Sequence, residues 1–193
     1  MVKDVNSKKI ATLSVFAALT VALQPIKFPA PYATFLYYEV WEIPITAAFA
    51  LYGPGIAIAI AILNTLVLLA IFPGALPTGP LYNLAAVLGM LLGMYVAHIA
   101  TRRGSLSKRI AMLNLLATAL GIVSRVVIMS LVNWVFLRYP PPIGFSIPEA
   151  VILGFLPLIG FFNATLALYT IPVGYMLARA VSHRIKIGIW KPK

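Results

Sequence analysis

The sequence contains no cysteine, only two histidines and only four acidic residues. The missing thiols exclude disulfides and thiolate metal sites. With charged residues at 10%, the chain falls far below the roughly 25% usual for a soluble domain. Catalytic signatures are also missing: there is no HExxH, no GxSxG and no Walker lysine loop. His98 and His183 stand at the ends of apolar stretches, away from the acidic residues, which argues against a metal or catalytic role. Any use of ATP must then come from a separate subunit.

What the sequence has instead is hydrophobicity, 62% of 193 residues. This predicts an all-α integral membrane protein forming one membrane domain over residues 1–193. Apolar runs predict six spans at roughly 10–24, 42–53, 55–72, 80–100, 110–137 and 148–180. The first two are short and are expected to be sheltered by their neighbours, whereas the last two are long enough to tilt or protrude. The first run is read as a retained span rather than a signal peptide, because no cleavage site followed by a soluble domain appears.

A net charge of +11 could suggest nucleic acid, but the basic residues sit in short clusters between apolar spans. Lys3, Lys8 and Lys9 precede the first span. Arg102, Arg103, Lys108 and Arg109 separate the fourth from the fifth, and Arg179, Arg184, Lys186, Lys191 and Lys193 close the chain. With six spans these clusters share one side, and the positive-inside rule makes it cytoplasmic, with both termini. The connections on the other side are long and rich in proline and aromatics: residues 25–41, Pro73 to Pro80, and the stretch from Pro140 to Glu149. Loops of this kind suggest a lid over an outward-facing cavity, or an aromatic belt at the headgroup level.

Polar groups within lipid are costly and therefore informative. Glu39 and Glu42 stand one helical turn apart at the mouth of the second span, followed by the turn Tyr52-Gly53-Pro54-Gly55. Asn64 lies near the middle of the third span, Tyr82 and Asn83 open the fourth, Asn133 and Trp134 lie late in the fifth, and Glu149 starts the sixth. Arg125 sits about 22 Å into the fifth span, at roughly 1.5 Å of rise per residue. It needs a partner, either Glu42, Glu149 or an anionic ligand. Tyr38 and Trp41, in the aromatic loop, are placed to cover a planar ligand whose polar edge meets Asn83 and Asn133. For Asn64 an interhelical hydrogen bond is the competing expectation. On the first span, Ala11, Ser14, Ala18 and Ala22 share one face, and Ala18-x-x-x-Ala22 lets another helix approach closely, from this chain or from a partner.

Together these residues resemble the substrate-binding S components of energy-coupling factor (ECF) vitamin transporters, most closely the riboflavin-specific branch. The matching run is Glu39-x-x-Glu42-Ile43-Pro44, Tyr52-Gly53-Pro54, Asn64, Gly79-x-Leu81-x-Asn83, Ser130-x-x-Asn133-Trp134 and Gly154-x-Leu156-Pro157. The resemblance implies a multi-pass plasma-membrane receptor that captures riboflavin or another vitamin, without a resident cofactor or metal. It also implies assembly with a transmembrane coupling protein and two ATPase subunits, with Ala18 and Ala22 matching the alanine motif used for docking. The chain departs from the riboflavin type at Leu63, at Ile159 and Phe162, where Asn163 follows one place late, and at Arg125. Two other readings stand beside this one. One is an intramembrane enzyme acting on a lipid or isoprenoid, with Glu39 and Glu42 as paired acids in a pocket free of basic residues. The other is a ligand-free subunit whose polar residues lock helices together.

Overall fold

The computed structural model describes residues 7–71, 76–102 and 106–192, with the side chains of 7–9, 106–111 and 185 left aside. Lys3, Pro73, Arg103 and Lys193 lie outside the described residues, as do the side chains of Lys8, Lys9, Lys108 and Arg109. Six helices follow the apolar runs: α1 Ser7–Ala22, α2 Glu42–Tyr52, α3 Pro54–Ile71, α4 Gly79–Ala100, α5 Leu106–Phe136 and α6 Glu149–Ile185. Four of them, α3 to α6, are long and apolar enough to cross a membrane, whereas α1 and α2 are shorter. At 37 residues, α6 is about 55 Å long, well beyond a hydrocarbon core of about 30 Å.

The chain is predominantly helical, as expected, with one addition. Residues 25–41 are not simply a loop: β1 Lys27–Ala30 and β2 Ala33–Glu39 pair as an antiparallel hairpin, Phe28 opposite Tyr38 and Lys27 opposite Glu39. The prolines that suggested a loop fit because a two-stranded hairpin is all edge and has room for residues without a donor. In β2, Thr34, Phe35, Tyr37 and Tyr38 supply the β-branched and aromatic side chains that favour strands.

The shortest helix forms the centre of the bundle. In α2, Glu42 and every residue from Pro44 to Leu51 are buried, as suits a helix apolar on all sides. It packs against α1, α3 and α6, while α5 lies between α4 and α6. Apolar burial gains little where lipid is the alternative, so close approach of the backbones matters more. A Cβ on Gly93 would run into the backbone of Leu120 on α5, so glycine sets the α4–α5 spacing.

Beyond α6 the tail returns under the bundle. The Trp190 amide donates to the Ala50 carbonyl at 2.8 Å, supplying one donor to the last turn of α2. Its indole lies against Gly53, where φ is 87° and a Cβ would fall 2.5 Å from the ring. Only glycine meets both demands without strain. The same ring packs beside Phe49, Tyr95 and His98.

Candidate functional site

At the other end of the bundle, α2, α4, α5, α6 and the hairpin surround a cavity of about 280 Å³. Its floor is an ion pair. Arg125 Nη1 lies 2.5 Å from Glu42 Oε2 and Nη2 lies 2.9 Å from Oε1, a bidentate arrangement with both side chains 3% exposed. Arg125 Nε donates to Asn163 Oδ1 at 3.0 Å, and Asn163 Nδ2 donates to the Ile159 carbonyl at 2.9 Å. Thus α2, α5 and α6 are tied together beneath the cavity. The planar fork of arginine suits this role, since it can hold a carboxylate with two parallel bonds and keep a third donor for the amide.

Glu42 is therefore the partner of Arg125, and Glu149 is not. Glu149 accepts from Trp134 Nε1 at 3.1 Å and lies 3.6 Å from Arg138, whose guanidinium sits over the Trp134 ring. The cavity is not free of basic residues, so the arrangement expected for a pair of catalytic acids is overturned. Glu42 is fixed by arginine, and only Glu39 is left without a cationic partner within ion-pair distance among the described residues.

Of the residues named from sequence, Glu39, Glu42, Tyr82, Asn83, Arg125 and Asn133 line the cavity. Four others lie elsewhere. Asn64 faces α1: it is buried, accepts from Gln24 Nε2 at 3.1 Å, and borders an apolar groove with Ala18 and Ala22. Trp41 is buried beneath the hairpin, with its indole N–H 2.5 Å from Glu39 Oε2. Tyr38 bonds Thr165 and Tyr32 through its hydroxyl at 2.7 and 2.5 Å, fastening the hairpin to α6. Trp134 is partly exposed beside Glu149. Among the lining residues that sequence reasoning did not assign to the site are the hairpin aromatics Phe35 and Tyr37, and Met129, Phe162 and Asn163. Asn163 did carry a signal, as an amide within an apolar helix, but it stood one place away from the expected motif position.

Glu39 ends β2, outside the helices. Burial pushes its carboxyl above the ordinary value of 4.5, with the nearby Glu42 charge adding to the rise, while the Trp41 N–H, Lys27 and Arg125 oppose it. Its backbone carbonyl accepts from the Tyr169 hydroxyl at 2.5 Å, which holds the hairpin's exit against α6.

On α1, Ala11, Ser14, Ala18 and Ala22 are all exposed, whereas Phe16 and Thr20 face inward. The small-residue face is thus not consumed by another helix of this chain.

No protein-family model and no curated protein matches the sequence. The structure is similar to the solved S component of a bacterial ECF transporter, with a TM-score of 0.70 and 23% identity over 93% of this chain and 98% of that one. This chain therefore shares its overall fold, nearly end to end, with an ECF transporter S component.

Proposed function

We propose that this protein is the substrate-binding S component of an ECF-type importer, not an enzyme. In this reading its six helices cross the plasma membrane with both termini cytoplasmic, and the hairpin covers a cavity open to the outside. The ligand is a water-soluble vitamin, with riboflavin or a related flavin first in line from the sequence resemblance. The observation that carries the reading is the cavity: two amides, Asn83 and Asn133, and aromatic side chains over an ion-paired floor, at the end of an otherwise apolar bundle. A largely apolar pocket with a few polar anchors suits a small planar solute. The enzyme reading loses its proton-transfer pair, because Glu42 is held by Arg125.

Uptake would require a transmembrane coupling protein and two ATPase subunits, met through the exposed small face of α1. Gentle purification followed by native mass spectrometry and absorption spectroscopy tests the ligand: a stoichiometric solute is expected, and flavin bands would identify riboflavin. A protein that carries and binds no solute would sink the proposal. For docking, Ala18→Leu or Ala22→Leu is expected to leave binding nearly intact and abolish ATP-driven uptake, because bulk on that face blocks helix approach. Normal transport by both variants would show that this face is not the contact.

A further inference from the structure

We infer that the part of the ligand entering this cavity is neutral or cationic, and that anionic forms of the same molecule are turned away. This inference rests on the ligand-binding reading above and adds a chemical class to it.

Glu39, Glu42 and Arg125 are the charged side chains lining the cavity. Arg125 is matched by Glu42 through two short bonds, and its Nε is taken by Asn163. That leaves one formal negative charge, on Glu39. One oxygen of Glu39 accepts the Trp41 indole N–H, and the other meets no donor among the described residues. Lys27 faces Glu39 across the hairpin, but it does not line the cavity, and its ammonium lies over the Tyr37 ring, 5.2 Å from the centroid.

The neutral polar groups add no charge to this balance. Asn133 Nδ2 donates one of its two N–H groups to the Met129 carbonyl, leaving the other N–H and the Oδ1 acceptor. Asn163 is satisfied at both ends. The Tyr82 hydroxyl donates to the Ile143 carbonyl. Asn83 has neither end of its amide bonded to a described residue, and so offers both a donor and an acceptor. The cavity therefore presents a carboxylate oxygen and two amide oxygens, beside neutral donors from Asn83, Asn133 and the Tyr37 hydroxyl, and no cation left over from the Glu42 pair among the described residues. A ligand amine, ring N–H or hydroxyl finds acceptors here. A phosphate or carboxylate would lose its water, meet Glu39 and gain no free cation.

The test uses the full-length protein in lipid nanodiscs. The solute it carries from cells is identified by mass spectrometry. Affinities are then measured for riboflavin against riboflavin 5′-phosphate and for thiamine against thiamine phosphate. A neutral or cationic solute is expected, and in whichever pair binds, the unphosphorylated member should be at least about tenfold tighter. Glu39→Gln should weaken that member by about tenfold to a hundredfold, the range for a charge-assisted hydrogen bond, and narrow its advantage over the phosphate. Arg138→Gln, outside the cavity, should change neither. An anionic solute from cells, or a phosphate ester bound as tightly as its parent, overturns the inference while leaving the ligand-binding reading intact. A protein that carries nothing and binds neither pair removes both.

Discussion

The two ends of the bundle are built from similar material and finished differently. At the hairpin end, Arg125, Glu42 and Asn163 form a buried polar floor with open space and unpaired amide groups above it. At the tail end, His98 is fully buried, with Nε2 2.6 Å from the Tyr175 hydroxyl and Nδ1 3.2 Å from the Trp190 carbonyl, and the Trp190 indole fills the remaining space beside Gly53. A polar cluster within apolar helices is thus not in itself a binding site. What distinguishes the hairpin end is room together with hydrogen-bonding capacity that the protein leaves unused.

The largest effect expected from breaking this contrast is at the floor. Because Glu42 is only 2% exposed, Arg125→Met would strand a carboxylate away from water and should cost about 3–5 kcal/mol in thermal or denaturant unfolding. Adding Glu42→Gln should recover much of that loss. If the single and double variants were equally unstable, the ion pair would not be what holds α2 to α5. At the opposite end, Trp190→Ala should remove roughly 2 kcal/mol of packing while leaving ligand affinity unchanged. Weakened affinity in that variant would mean that the two ends are coupled and that the contrast is drawn too sharply.

Asn83→Ala or Asn133→Ala should do the reverse. Stability should hold, but binding should weaken roughly 5- to 150-fold, the equivalent of about 1–3 kcal/mol for an unmade hydrogen bond. Wild-type affinity in both would move the ligand away from these amides. A gentler handle is pH. The Glu39 carboxyl is raised in the folded protein, so its contribution favours folding most at low pH and is lost as pH climbs through the raised value. Glu39→Gln should therefore flatten the decline of melting temperature with pH above about 4.5, and an unchanged profile would show that burial does not perturb this group. The smallest effect is expected at the exposed Arg138–Glu149 pair, where either substitution should change stability by less than about 1 kcal/mol.

Much of the molecule was legible in the order of its residues. Apolar runs long enough for helices, separated by Gly-Pro turns and basic clusters, fix the six helices to within a few residues, because helix formation and lipid exposure are both local demands on composition. The cost of a lone guanidinium in an apolar helix likewise required a partner for Arg125 and narrowed the choice to Glu42, Glu149 or an anionic ligand. The choice between Glu42 and Glu149 depended on how α2 and α6 pack around α5, which no spacing along the chain encodes. The same holds for Asn64, which packing turns toward Gln24 and α1 rather than toward the cavity. The hairpin was hidden because its prolines read as loop, and only pairing between two strands and their seat on Tyr169 and Thr165 gives it a fixed shape. Sequence thus determined which groups must be satisfied, since desolvation acts on each residue alone. Tertiary structure decided which group satisfies which, and which amide groups are left facing the cavity unused.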